Sequence, residues 1–356
     1  MHLPTLLRRL PGVFAPLATA LRRQAPARAS AAGARAPLDP EVLAAIRDIS
    51  MLREDALSML ASLAREAEGM ILEIGTYIGG STVAIALGSR SRVIAIEVGT
   101  PHPHHESMPS SDVLGDLRRN LRRFGVEERV SVIPRLATSP LAFREVAALL
   151  DGGSIGMMAV DADGDIGRHL GRFAPLLTPR CLLAIDDYDA PGAQAKEALV
   201  RPWVDARVSD GTLDAIGVVG WGTWCGRLGG EAARDRIAAE WTPYRRESGH
   251  AWCCEVLLPE APDSASDPRT SRARLIEREG AARIELGPAH AWHDEIRRLG
   301  AGRFSHWSEA KPDADLSEHE AMLYFSTSDN SDPTANGRSY EIAIGRSTFA
   351  LRDPRR

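Results

Sequence analysis

Apolar and polar residues fall into alternating blocks along the chain. Between residues 39 and 67 the apolar positions recur at helical spacing: Val42, Leu43, Ile46, Ile49, Leu52, then Leu57, Leu60 and Leu63. Asp39 followed by Pro40 predicts the start, a cap residue and then a proline in the first turn. Short apolar runs follow, and each ends on an acid. Met70-Ile71-Leu72 leads to Glu73, RVIAIE to Glu97, IGMMAVD to Asp161, and CLLAIDD to Asp186 and Asp187. Helical patterns at 81–87, 112–124, 141–150, 166–177 and 196–208 separate these runs, with a further strand at 129–133. Residues 213–219 and 221–228 read as a closing pair of strands. Strands alternating with helices predict an α/β fold, a doubly wound and mostly parallel sheet with an antiparallel last strand. In such sheets ligands bind at the carboxyl ends of the strands, where these acids stand.

Past residue 229 the texture changes. Short strand-like runs at 253–258, 273–277, 282–286, 322–326 and 340–344 predict a smaller β-rich, sandwich-like domain with one helix near 290–299. A Pro/Ser/Asp-rich loop is expected at 262–272. The chain therefore divides into an arm (1–38), an α/β domain (39–228) and an accessory β domain (229–356).

Composition narrows the classes. A hydrophobic share of 44% and a charged share of 26% are those of a soluble globular chain. A net charge of −5, with no massed basic block, gives no electrostatic case for nucleic acid. No apolar run is long enough for a membrane span. The cysteines, Cys181, Cys225, Cys253 and Cys254, follow no zinc spacing and fit a reducing, cytoplasmic compartment. The acid-free arm carries an apolar stretch, 10–21, between arginine pairs; a targeting segment or peripheral attachment to the inner membrane face are its sharper readings.

The stretch ILEIGTYIGGST, residues 71–82, joins a strand to a helix through a glycine turn, the usual construction of a nucleotide site. Its glycines, Gly75 and then Gly79, do not match G-x-G-x-x-G, so a dinucleotide site is a poor reading. The pattern E-x-G-x-x-x-G, with Glu97 22 residues beyond Gly75, instead resembles the class I S-adenosylmethionine methyltransferases. VDAD at 160–163 and DDY at 186–188 extend the resemblance to the metal-dependent O-methyltransferases of the catechol and caffeoyl-coenzyme A kind. The bacterial branch that tailors antibiotics and sugars is similar as well.

That resemblance, covering residues 39–228, implies a Rossmann-like domain and a set of roles. Glu73, Gly75, Thr76, Tyr77, Gly79, Ser81 and Asp161 would line the cofactor, and Glu97 would accept both ribose hydroxyls. Asp161, Asp186 and Asp187 would hold a divalent cation, Mg²⁺ by the chemistry of an all-oxygen set. Relatives commonly carry Asn where Asp187 stands. They also place a Lys or His three residues after the first metal Asp, as general base; here that residue is Gly164. Asp163 and His169, with Asp165 and the histidines of the insert (His104, His105), are the substitutes considered.

The implied activity is metal-assisted O-methylation of a hydroxyl on a sugar, glycan precursor or secondary metabolite. Acceptor identity and self-association into a homo-oligomer stay open. The missing base leaves another reading: an inert Rossmann-like domain beside a C-terminal module that binds glycan or a protein partner. Trp221-Gly222-Thr223-Trp224 reads chiefly as hairpin packing, with substrate stacking as the sharper alternative. His290, His293 and Asp294 have helical metal spacing but no further ligand. The polar loop SDNSD, 328–332, and RFSHW, 303–307, are the features a glycan-binding surface would use; turn chemistry alone also explains the former.

Overall fold

The computed structural model describes residues 38–105, 107–189, 194–258, 273–286, 293–300, 302–307, 319–344 and 347–351. The arm before Leu38, the 262–272 loop and His290 lie outside the described residues.

Two helices open the described residues, α1 (Pro40–Arg47) and α2 (Glu54–Glu66), where the periodicity alone runs through without a break. Asp39 caps α1 by accepting the Glu41 N–H at 2.8 Å. The break at 48–53 follows local hydrogen bonding: the Ser50 hydroxyl accepts the Leu52 N–H at 3.1 Å, a serine turn that competes with helix. Strand and helix then alternate: β1 (Met70–Ile74), α3 (Gly80–Gly88), β2 (Val93–Ile96), α4 (Val113–Arg123), β3 (Val130–Ile133), α5 (Pro140–Leu150), β4 (Ile155–Val160) and α6 (Ile166–Phe173). They continue through β5 (Leu177–Ile185), α7 (Gln194–Ser209), β6 (Leu213–Val219), β7 (Thr223–Leu228) and α8 (Glu231–Glu240).

The seven strands form one sheet in the order β3-β2-β1-β4-β5-β7-β6. All neighbours among the first five are parallel. The antiparallel strand, β7, is wedged between β5 and β6, so the last strand in sequence is not the edge of the sheet. Helices cover both faces, which is why these strands read as unbroken apolar runs. Leu72, Ile74, Met158, Val160, Leu183 and Ile185 pack toward α5, α6, α7 and α8, and Ile71, Met157, Ala159, Leu182 and Ala184 toward α1 to α4. By period-2 alternation Glu73 goes with Ile71, Asp161 with Ala159, and Asp186 with Ala184. The acids therefore emerge on one face of the sheet at its carboxyl edge. Helix α8 belongs to this core through Ile237 and Ala238, although it lies past residue 229.

The rest is β8 (Arg245–Ser248), β9 (Ala251–Leu258), β10 (Ala273–Glu279), β11 (Ala282–Leu286), α9 (His293–Leu299), β12 (Phe304–Trp307), β13 (His319–Phe325), β14 (Ser339–Ile344) and β15 (Ser347–Ala350). Two antiparallel sheets, β11-β10-β14-β15 and β12-β13-β9-β8, share one core. Trp252, Phe304, Leu323 and Phe325 of one sheet meet Leu275, Leu286, Tyr340 and Ile342 of the other. The two units touch through β9: Glu255 pairs with Arg168 at the start of α6 and accepts the Thr138 hydroxyl at 2.9 Å. All four cysteines are buried and free, and among the described residues no helix is long and apolar enough to cross a membrane.

Candidate functional site

Strand order reverses between β1 and β4, whose crossovers leave in opposite directions, and a crevice opens at their carboxyl ends. The cavity there is open to solvent, and about 280 Å³ of space, open solvent included, lies within it. Gly75, Ala159 and Ala184, all small, line it with Leu52, Leu60 and Val160, and Glu73, Ser81, Asp161, Asp186 and Thr223 supply polar atoms.

The glycine turn is shaped by close approach. Gly75 has φ +79°, and a Cβ there would sit 1.8 Å from the Asp161 carbonyl oxygen, so only glycine fits. Tyr77, at φ 49°, holds a left-handed conformation that a bulky residue seldom adopts. What pins the turn is Glu97: its Oε2 accepts the N–H groups of Thr76 (3.1 Å) and Tyr77 (2.8 Å), and its Oε1 accepts that of Gly99 (2.8 Å). A carboxylate has about four acceptor directions. Three are taken, so Glu97 can receive one further hydroxyl, not two, without giving up a backbone bond. Gly79 caps α3, whose first turn carries Ser81 toward the cavity. The Tyr77 ring lies against His102 and His105, with centroids 5.7 and 6.0 Å apart, and its hydroxyl donates to the Met108 carbonyl. His105 accepts the Met108 N–H at 3.3 Å; His104 is exposed.

Glu73 is 2% exposed, and its Oε2 has no hydrogen-bond partner among the described residues. Burial pushes its carboxyl up to about 7; the Ser81 and Thr82 hydroxyls pull the other way, and Glu97 adds to the rise. At the opposite wall, Asp161, Asp186 and Asp187 each offer a carboxylate oxygen, all within 4.8 Å of one another. Desolvation raises the carboxyls of both Asp161 and Asp186, and the neighbouring aspartates reinforce it. Asp186 is oriented by the Thr223 hydroxyl, which donates to its Oδ1 at 2.5 Å. Asp187 has φ 59°, a left-handed position that Asp tolerates and that turns the chain away at the end of β5.

One partner of this cluster is absent from the sequence reading. Lys196, in the first turn of α7, places Nζ 3.0 Å from Asp187 Oδ2 and 3.4 Å from Asp161 Oδ1. Desolvation works against its charge, but the two aspartates outweigh it and its pKa is raised. Gly164, at φ +86°, lies beside α7, where an added Cβ would stand in ordinary contact with the Lys196 Cα at 3.5 Å.

Asp163 and His169 do not join the cluster. His169, buried on α6, places Nε2 2.8 Å from Asp163 Oδ1, and Asp163 also accepts the Asp165 N–H at 3.0 Å. The bond to His169 holds the Asp163 carboxyl well below its ordinary range. Neither residue lines the cavity. Asp165 caps α6 by accepting the Arg168 N–H at 3.2 Å. These residues act as a helix start.

Of the aromatic hairpin, Trp224 is fully buried and Trp221 is 63% exposed. In the β sandwich the Asx-dense loop is consumed by its own turns: Asp329 accepts Ser331 N–H and Asp332 accepts Thr334 N–H, at 3.1 and 2.7 Å. Arg338 ties it to the buried Glu277 at 2.8 Å. Phe304 is core, and His293 and Asp294 open α9.

Sheet order, glycine turn and acidic carboxyl edge define a Rossmann-like α/β domain with its ligand cavity at the switch point, joined to a β sandwich. Among solved structures the chain is similar to a cofactor-bound protein from MTB (23% identity, covering 56% of this chain and 92% of that one, TM-score 0.38). It is similar to an O-methyltransferase from Bacillus cereus in complex with SAH (17%, 54% and 91%, TM-score 0.38). An SAH-bound methyltransferase from Podospora anserina is a third (17%, 64% and 99%, TM-score 0.39). No protein-family model and no curated protein matches the chain.

Proposed function

We propose that the chain is an S-adenosylmethionine-dependent O-methyltransferase acting on a hydroxyl-bearing small molecule, a sugar, glycan precursor or secondary metabolite. The observation that carries this is one cavity lined by Gly75 and Glu73 of the glycine turn and by Asp161 and Asp186, with Glu97 bonded to the turn and Asp187 clustered with the two lining aspartates. Glu97, half-exposed beside the turn, has one acceptor direction left for a ribose hydroxyl. The buried Glu73 Oε2 faces the place where a methionyl ammonium would satisfy it, and that charge would return the carboxyl to its ionised form. The Gly75 turn, which admits no side chain, lets backbone approach the methionyl moiety.

Asp161, Asp186 and Asp187 fit a divalent cation. All three donors are oxygen and they converge; burial, reinforced by the neighbouring aspartates, raises two of the carboxyls in the ion-free protein. When bound, such an ion supplies Lewis-acid stabilisation of the acceptor oxygen. Methyl transfer forms an O–C bond as the S–C bond breaks, with the sulfonium leaving as a neutral thioether and the acceptor's hydroxyl proton released to solvent. The chain's part is to hold donor and acceptor in line, with Leu52 and Leu60 giving the cavity an apolar lining.

Isothermal calorimetry with S-adenosylhomocysteine tests the reading. Wild type should bind saturably with one site per chain, and Glu97→Ala should weaken binding at least about tenfold, the loss of one charge-assisted hydrogen bond and of the turn it pins. No binding by the wild type, or equal binding by the variant, would sink it. The metal part fails separately if methyl transfer survives both EDTA and Asp186→Ala.

A further inference from the structure

We propose that the Lys196 ammonium and a divalent cation compete for the same carboxylates, so that an ion enters only as Lys196 lets go of Asp161 and Asp187. The proposal rests on the methyltransferase reading for what the ion does, but not for the competition itself.

The chain has 43 lysines and arginines, yet only two are lysine, Lys196 and Lys311. One of the two is the cation in the acidic cluster. Its Nζ touches two of the three clustered carboxylates, at 3.0 and 3.4 Å, and among the described residues no other cationic side chain pairs with any of them. Magnesium sits about 2.1 Å from its oxygen ligands. Adding that to the 3.0 Å contact, an ion on Asp187 Oδ2 would lie within about 5 Å of the ammonium in its present place, whatever its direction. That is shorter than the screening length of about 8 Å at physiological salt, so the repulsion between the two cations is not screened away.

The ammonium can leave. The Lys196 side chain is 40% exposed on a flexible four-carbon stem. A planar arginine fork would bind a carboxylate in two-pronged fashion and release it less readily; lysine is a compact point charge that exchanges with solvent. In the ion-free protein Lys196 partly neutralises three carboxylates that would otherwise repel one another. Its release is the electrostatic cost of loading the site.

Manganese titration of the full-length protein, read by the electron paramagnetic resonance of free Mn²⁺, tests the competition. Lys196→Met should bind Mn²⁺ at least about tenfold more tightly than wild type, and Lys196→Arg no more tightly than wild type. Reductive ¹³C-methylation keeps the charge and labels just two side-chain amines. The Lys196 resonance should move to the position of a solvated lysine as Mg²⁺ is added. Equal or weaker Mn²⁺ affinity in Lys196→Met, or a Lys196 resonance indifferent to saturating Mg²⁺, overturns the proposal. Absence of Mn²⁺ binding in both proteins overturns it too, and an S-adenosylhomocysteine titration of the same samples then shows whether the methyltransferase reading stands without it.

Discussion

Replacing Glu73 by Gln removes a buried carboxyl without changing its size, and the consequence should depend on pH. In the folded protein the carboxyl keeps its proton up to about 7, because burial disfavours the anion; in the unfolded chain it releases near 4.5. Between these values the folded state binds more protons than the unfolded one, so wild-type stability falls as pH rises from about 4.5 to about 7 and stays lowered above that. Each pH unit of separation is worth about 1.4 kcal/mol, which makes the full loss about 3 kcal/mol. Glu73→Gln carries no such linkage. It should therefore be more stable than wild type by about 3 kcal/mol at pH 8.5, and the gap should shrink to a few tenths of a kcal/mol at about pH 4.5. At about 2–4 °C per kcal/mol for a domain of this size, the gap in Tm at pH 8.5 is about 6–12 °C. Differential scanning calorimetry of both proteins without ligand, from pH 4.5 to 8.5, measures it. A gap constant across that range, or a variant less stable at pH 8.5, would refute the assignment of Glu73 as a neutral, buried acid.

Two further substitutions probe the contacts that frame the site. Thr223→Val removes the hydroxyl that orients Asp186; divalent-ion affinity should fall about 10-fold or more, as for other partners that orient metal ligands, while S-adenosylhomocysteine affinity stays within about twofold. Glu255→Ala leaves Arg168, with 10% of its side chain exposed, without its carboxylate at the contact between sheet and sandwich. It should cost about 3 kcal/mol and separate the unfolding of the two units into distinct calorimetric transitions; removing both partners in Arg168→Met with Glu255→Leu should recover most of that.

The parallel sheet was legible in the sequence because its central strands are buried on both faces and lead to an acid: β1, β4 and the second half of β5 appear as apolar runs leading to Glu73, Asp161 and Asp186. The Gly75 turn was legible for a steric reason that leaves only one residue type. What periodicity cannot carry is contact through space. The break between α1 and α2 depends on a serine turn that interrupts a continuous apolar stripe. Glu97 looks like a free carboxylate in sequence, but three N–H groups of the turns around it already use it. Asp163 and His169, six residues apart, satisfy each other. Lys196 and Thr223 reach the cluster from α7 and β7: Lys196 touches Asp187 just before its own helix and Asp161 35 residues back, Thr223 touches Asp186 37 residues back, and no periodicity marks either. The one available signal for Lys196 was compositional, the near absence of lysine elsewhere in the chain.

A crystal soaked with S-adenosylhomocysteine and Mg²⁺ tests the methyltransferase account most directly. The account expects the ribose on Glu97, the homocysteine moiety over the Gly75 turn with its ammonium at Glu73, and the ion within coordination distance of Asp161, Asp186 and Asp187. Saturating soaks that leave the cavity at the β1–β4 switch point without nucleoside, or that place the nucleoside elsewhere on the molecule, would contradict it.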